Sequence, residues 1–184
     1  MHKDIPVLNA DYSTKNHKFL EIHEMIDAKH LPVGCSPNGE FSLHALNHWF
    51  RWRGIPGYRV GLLQLQNRLQ IDSPMELLDM EHALSVSDTY WLKANHEKIT
   101  WAQVNFYQNS YDQSGFGKAM FSSLNSEFSS SVLHTPNNCT CGYHRKAWFK
   151  RNGTLYLLKG GSPFYQQEPV NEWLASRIAQ ELGL

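Results

Sequence analysis

The chain lacks a long apolar run and an excess of charge of either sign. No stretch approaches the length of about 18 apolar residues that a membrane-spanning helix needs. The first residues, MHKDIPVLNADYS, lack the apolar core of a signal peptide. The 17 Lys and Arg balance the 17 Asp and Glu, so no global field draws the chain to nucleic acid or to a membrane. We therefore expect no membrane association and no direct nucleic-acid binding.

Cysteine is also scarce. The three cysteines, Cys35, Cys139 and Cys141, are an odd number and do not form a disulfide framework. We expect reduced thiols and a cytoplasmic protein. With 41% hydrophobic residues in a chain of 184, the composition is sufficient for a buried core of one domain, or of one domain and a small extra piece.

The first half of the chain predicts two strands followed by helices. IPVLNADY and KFLEIHEMI are the strand candidates, with a turn or loop over NADYSTKN. A helical period begins at Phe41, and RGIPGYR ends that helix before a second one. DSPMELL predicts a helix start, with Ser73 as N-cap, Pro74 at the first position and Glu76 three residues after the cap.

The second half predicts a strand, a hairpin and a final helix. LSVSDTYWL has a strand-like pattern, NFYQNSYDQSGFGKAMF predicts a loop and a short helix, and SSLNSEFSSSV predicts a flexible connection. Asn152-Gly153 predicts a hairpin turn between RKAWFKR and TLYLLKG. The last helix is expected to bury a stripe of Val170, Leu174, Ile178 and Leu182. We predict an α+β fold of mixed helices and small antiparallel sheets, with one subdomain at 1–83 and a second at 84–184.

Lys159 ends an otherwise apolar strand. Alternation places it on one face with Leu155 and Leu157, where a lysine either extends to solvent or binds a phosphate. In the second case a glutamate of the next helix, Glu168 or Glu172, would hold the ammonium. The polar loop HTPNNCTCGYHRK at 134–146 offers hydroxyls and backbone N–H groups that suit a phosphate cradle.

The stretch YLLKGGSPFYQQEPVNEWLASRIAQELGL resembles the HipA-like Ser/Thr protein kinases of bacteria, which are toxins of toxin–antitoxin pairs. It is most similar to a Gram-positive branch with a related LIKGGSG…QQEPxNEVIASRI run. LSVSDTYWLK, TWAQVNFYQNSY and TPNNCTCGYHRKAW also match that branch, as do IPVL and RGIP…R more weakly. The resemblance covers most of the chain and is more specific from residue 84 onward.

This resemblance implies a fold, the N-terminal lobe of such a kinase, and a set of ATP-binding residues. Lys159 corresponds to the phosphate-binding lysine and Glu172 to the helix glutamate that holds it. The phosphate loop corresponds to Thr135, Asn137, Asn138, Thr140, Gly142 and Lys146. Cys139 and Cys141 depart from the branch, where polar residues without thiols are expected.

No H-x-D-x-x-x-x-N motif supplies a general base or Mg²⁺ ligands, so no catalytic residue is assigned. Asp88 is expected to cap a turn. The resemblance implies a catalytic lobe that would follow residue 184 and hold Mg²⁺. The expected partners are therefore that lobe, a second copy of the chain, or an antitoxin-type protein. The alternative function is a non-catalytic interaction or regulatory module derived from such a kinase.

Three other sites remain alternatives. Thiolates and imidazoles at Cys139, Cys141, His144 and His134 are zinc-ligand types without a common zinc spacing. Arginines interleaved with aromatics in NHWFRWRGIPGYR are a pattern of nucleic-acid contacts, or of a solvated helix end. Ser42 and His44 have no third partner for a nucleophilic triad.

Overall fold

The computed structural model describes residues 1–111, 115–121 and 135–184. These residues form six α-helices and two separate two-stranded antiparallel sheets, so the predicted α+β class is confirmed. The predicted connection SSLNSEFSSSV, together with His134, lies outside the described residues.

The strands are β1 (Leu8–Ser13), β2 (Lys18–Met25), β3 (Lys146–Arg151) and β4 (Thr154–Lys159). The α-helices are α1 (Leu43–Arg51), α2 (Leu62–Leu69), α3 (Pro74–Met80), α4 (Trp101–Val104), α5 (Gly115–Phe121) and α6 (Glu168–Glu181). Short 3₁₀ helices cover Ala28–His30, Pro37–Gly39 and Pro136–Cys139. None of the helices in this described part of the chain is long and apolar enough to cross a membrane.

The first hairpin pairs β1 with β2, but its turn is shorter than predicted. Asn9 pairs with Glu24 and Tyr12 with Phe19, with two register irregularities between those pairs. The predicted loop over NADYSTKN is therefore wrong for residues 9–13, and only 14–17 form the turn. The irregularities let a polar segment continue as a strand without strict alternation.

The start of α3 follows the predicted cap, and α1 begins at a serine cap that was not predicted. The Ser42 hydroxyl accepts from the Ala45 amide at the start of α1. At α3, Ser73 and Glu76 form a capping box with Pro74 in the first turn, as predicted. The unpredicted helix α4 is a single turn that begins at Trp101, with Thr100 as its N-cap.

Three buried hydrophobic clusters hold the described elements together. The first joins α2, α3, α5 and β3 through Ile55, Leu62, Leu65, Ile71, Leu77, Phe116, Met120 and Ala147. The second packs the first hairpin on α1 through Phe19, Cys35, Leu46, Phe50, Leu78 and Ala83. The third contains Leu84, Trp91, Phe106 and Tyr111. The first cluster joins residues from both sides of position 83, and the division into 1–83 and 84–184 stays a prediction.

Two further sequence predictions about local structure are wrong. Residues 84–92 form no strand; Tyr90 makes only an isolated bridge with His2. Side chains compete for the backbone there: Ser85 Oγ accepts from the Ser87 amide, and Asp88 Oδ1 accepts from the Tyr90 amide at 3.0 Å. The expected role of Asp88 in a turn is confirmed by that bond.

The predicted buried stripe of α6 is also wrong. Its side chains are half exposed or more, at 61% for Val170, 50% for Leu174, 52% for Ile178 and 69% for Leu182. The helix has the expected apolar spacing, but no described element covers those residues. Periodicity predicted which side chains lie on one side of the helix, and not whether another surface covers them.

Candidate functional site

Lys159 and Glu172 form the ion pair that the sequence predicts. Lys159 Nζ donates to Glu172 Oε2 at 2.7 Å. Both side chains are accessible, at 41% and 57% exposure respectively. An accessible ammonium held by one carboxylate keeps donors available for another acceptor.

The second hairpin fixes where Lys159 lies. Asn152 and Gly153 take positive φ values of 51° and 79°, which a two-residue hairpin turn requires. The register of β3 and β4 then pairs Lys146 with Lys159 at the far end of the hairpin. The Gly160 amide continues the pairing by donating to the Arg145 carbonyl at 2.8 Å. The two lysines therefore lie together, next to the 135–146 loop.

The first part of that loop is buried and internally bonded. Asn137 Oδ1 accepts from the Trp148 amide of β3, and Asn137 Nδ2 donates to Thr135 Oγ1 at 2.7 Å. Asn138 Nδ2 donates to the Leu77 carbonyl of α3 at 3.0 Å. These side chains anchor the loop between α3 and β3. As placed, they do not project into solvent.

Thr140 is buried as well, and its hydroxyl donates to the Asn137 carbonyl at 3.1 Å. For Thr135, Asn137, Asn138 and Thr140, direct contact with a nucleotide stays a prediction. The role that the geometry gives their side chains is to shape the backbone of the loop.

Gly142 and Lys146 form the accessible end of the loop. Gly142 has a φ of 98°, and a Cβ there would lie 2.4 Å from Lys146 Nζ. Lys146 Nζ donates to the Cys141 carbonyl at 2.6 Å. Glycine suits position 142 because the backbone there is left-handed, and a Cβ would force the flexible Lys146 ammonium to move.

Positive charge accumulates at this end of the hairpin. Burial, together with the charges of Arg59 and Lys159, lowers the pKa of Lys146, and Cys141 and Glu172 offset part of this shift. Such a pKa shift means that additional negative charge near Lys146 would be favoured.

Glu168, the other glutamate considered, holds a different group. Its Oε2 accepts from the Ser162 amide at 2.9 Å, and this bond holds the pKa of Glu168 below its usual value. Its other oxygen lies 3.9 Å from His144 Nε2. Glu168 therefore shapes the loop after β4, and Glu172 is the partner of Lys159.

The zinc alternative gains no support in the described part of the chain. No group of three His, Cys, Asp or Glu side chains converges there, and His134 is outside it. Cys139 Sγ donates to the Leu84 carbonyl, and burial raises the pKa of that thiol to about 12.

Residues of the other two alternatives, the nucleic-acid pattern and the nucleophilic serine, are engaged in structural contacts. Arg53 and Arg59 are buried at 8% and 3% exposure and bond to protein groups. They are therefore not on a surface that could follow a nucleic-acid strand. Ser42 is used as the cap of α1.

A cavity with a volume of about 630 Å³ lies elsewhere, between the first hairpin, α1 and residues 90–97. Several of its lining side chains, including Phe19, Leu46 and Phe50, belong to a buried cluster. We interpret it as space beside the core, and the Lys159 site is an open surface distinct from it.

No protein-family model matches this chain, and no curated protein or solved structure matches it either. The assignment of function therefore depends on the geometry of the site and on the resemblance described above.

Sequence reasoning missed the contact of Arg59 with this loop. It grouped Arg59 with neighbouring arginines as a nucleic-acid pattern, whereas the guanidinium contacts Thr140 and Gly142 more than eighty positions along the chain. A contact over that separation leaves no local pattern. The weak RGIP…R match was the one available signal.

Proposed function

We propose that this chain is the nucleotide-binding lobe of a HipA-like Ser/Thr protein kinase and is catalytically incomplete over these residues. The observation that carries the proposal is the Lys159–Glu172 pair at 2.7 Å beside a glycine-containing loop. A strand lysine held by a helix glutamate is the arrangement with which protein kinases bind ATP phosphates. The ligand class is a nucleoside triphosphate.

Each residue has a defined task in this proposal. Lys159 would donate to phosphate oxygens while Glu172 keeps its ammonium in place. Lys146 would exchange its bond to the Cys141 carbonyl for a phosphate oxygen, and Gly142 would let the backbone approach. These residues bind and orient the phosphates, and none is placed to remove a proton from a hydroxyl.

Mg²⁺ belongs to such a reaction, since it neutralises charge between phosphates. The described residues do not by themselves fit the ion, because no three carboxylate, imidazole or thiolate side chains converge among them. The proposal therefore assigns the Mg²⁺ ligands and the general base to a second, catalytic lobe.

The test is calorimetric titration of the purified chain with ATP, with adenosine as the matched control that lacks phosphates. We expect ATP to bind and adenosine to bind much more weakly, because the contacts proposed are to phosphate. Radiolabelled ATP should also transfer no label above the level of Lys159→Ala. Absence of ATP binding at millimolar concentration would reject the proposal.

A second candidate, an interaction module, is favoured by the apolar side chains that α6 and the loop before it expose. They are Phe164, Tyr165, Val170, Trp173, Leu174, Ile178 and Leu182, exposed between 50% and 89%. Exposed apolar patches beyond a few hundred Å² commonly mark interaction sites. We propose that the catalytic lobe packs there. The alternative occupants of the same surface are an antitoxin-type protein and a second copy of the chain.

The association test is light scattering after size exclusion over a range of concentrations, alone and with a separately produced catalytic lobe. We expect complex formation that Ile178→Glu weakens, with the exposed polar site Gln180→Glu of α6 as the control for added charge. A monomer that binds no lobe would count against this candidate.

The free thiols of Cys35, Cys139 and Cys141 support placing the protein in the reducing cytoplasm.

A further inference from the structure

The segment between α1 and α2 buries two arginines, and their environments differ. Arg53 is 8% exposed and Arg59 is 3% exposed. Both guanidinium groups donate to backbone carbonyls.

Arg53 is neutralised by an acidic side chain. Its Nη1 bonds to Asp88 Oδ2, and its Nη2 donates to the Ala83 carbonyl at 2.7 Å and the Tyr90 carbonyl at 3.0 Å. The guanidinium also lies 4.7 Å from the ring centroid of Trp49. This is the ordinary condition of a buried charge, which is paired and hydrogen-bonded.

Arg59 has only neutral acceptors. Nε donates to the Gly142 carbonyl at 3.1 Å, Nη2 donates to the Thr140 carbonyl at 2.6 Å, and Nη1 donates to Thr140 Oγ1. The next amide, of Val60, donates to the Tyr143 carbonyl at 2.9 Å. No carboxylate among the described residues pairs with this guanidinium, and its burial lowers the pKa of Arg59 to about 10.

Cys141 and Tyr58 favour the charged form of Arg59, whereas two nearby lysines add positive charge. Lys146 lies close enough to Arg59 for each charge to disfavour the other, and Lys159 adds to this repulsion. Arg145 of the same loop has a buried Nε without a hydrogen-bond partner among the described residues. A buried cation without a counter-charge is costly, so an anion arriving at this loop would be bound favourably.

We propose that Arg59 is a positioning residue for a polyphosphate site, holding loop residues 140–142 in place and supplying the uncompensated charge that attracts the ligand. This inference rests on the proposed function and makes it more specific, since the group recognised is the phosphate chain and not the base. Arg59 acts through the loop backbone and is covered by it. Lys146 and Lys159 are the side chains that reach the ligand.

The experiment measures the dissociation constant of tripolyphosphate, which has no base, by calorimetry on folded protein. We expect Arg59→Gln to weaken binding by about tenfold or more, because the site loses one nearby positive charge and the loop backbone loses its anchor. Arg59→Lys keeps the charge but cannot make the three hydrogen bonds of the guanidinium fork, so it should restore part of the affinity. Arg53→Gln, the buried control with its own carboxylate, should lower stability and leave the dissociation constant within about twofold of wild type.

The outcomes separate this inference from the proposed function. If wild type binds tripolyphosphate and Arg59→Gln binds it equally well, the inference is wrong and the proposed function stands. If Arg59→Gln does not fold, Arg59→Lys decides, since affinity equal to wild type would show that the fork does not position the loop. If wild type binds neither ATP nor tripolyphosphate, the proposed function is rejected and the inference with it.

Discussion

Replacing Lys159 by methionine separates a contribution to ligand binding from a contribution to stability. The change keeps an unbranched side chain of similar length and removes the charge. In the folded protein Lys159 bonds to Glu172 at 2.7 Å, with 41% and 57% of the two side chains exposed. Exposed ion pairs stabilise proteins by about 0–1 kcal/mol, because water screens them and ordering both side chains has an entropic cost.

The expected effect on the ligand is larger. Loss of a charge-assisted hydrogen bond to a phosphate oxygen costs about 1.5–3 kcal/mol, or roughly a 10- to 150-fold increase in the dissociation constant of ATP. Loss of up to about 1 kcal/mol of stability would lower the melting temperature by at most about 4 °C in a chain of this size. Binding should therefore change by far more than stability.

Calorimetry with ATP and thermal melting without ligand measure the two quantities. Lys150→Met is the matched control, since Lys150 is an exposed lysine of the adjacent strand, paired opposite Leu155 away from Lys159. It should leave both quantities nearly unchanged. Two results would refute the reasoning: ATP binding by Lys159→Met as tight as in wild type, or a loss of stability well above 1 kcal/mol, which would make the pair structural.

Three further predictions concern the loops around this site. Gly142→Ala should lower stability because of its left-handed backbone, and ATP affinity because its Cβ would lie 2.4 Å from Lys146 Nζ and displace that ammonium. Gly153→Ala is the control, since it has similar backbone strain at φ 79° but open space around the Cβ. In the same calorimetric and melting assays it should lower stability alone. Asn137→Ala should destabilise by about 1–3 kcal/mol in urea unfolding, because the partly buried Trp148 amide of β3 loses its acceptor. A loss below a few tenths of a kcal/mol would contradict that role. Glu168 has a lowered pKa, so its stabilising effect is full above its unfolded pKa near 4.5 and is lost as the pH falls through the lower folded value. The melting-temperature difference between wild type and Glu168→Gln should therefore shrink between pH 6 and pH 3. A constant difference would refute the assignment.

Local sequence signals predicted the elements that local chemistry determines. Ser73, Pro74 and Glu76 specify the start of α3 because caps satisfy the free amides of the first turn. Asn152 and Gly153 specify the second hairpin because both adopt positive φ. The hairpin then determines the position of Lys159, so one half of the candidate site was predictable from short-range pattern alone.

Contacts between distant segments were not predictable in the same way. Residues 84–92 have the composition of a strand, yet the Ser85 and Asp88 side chains accept hydrogen bonds from nearby amides. The Arg53 guanidinium also donates to the Ala83 and Tyr90 carbonyls. Sheet formation requires a partner strand as well as a suitable pattern, and no described strand pairs along this segment. The second half of the candidate site, where Arg59 meets the loop, depends on the same kind of long-range contact.

The stripe of α6 shows what periodicity does and does not determine. Val170, Leu174 and Ile178 recur at the spacing of one helical side, as the sequence indicates, yet each is at least half exposed. Burial requires a second surface, and burying a leucine or isoleucine fully is worth about 1.5–3 kcal/mol, so an unoccupied stripe holds a substantial free energy available to a partner. If a catalytic lobe covers the stripe, Ile178→Glu should weaken association by orders of magnitude while leaving the melting temperature of the isolated chain almost unchanged. A variant that instead unfolds would show that Ile178 already belongs to a core.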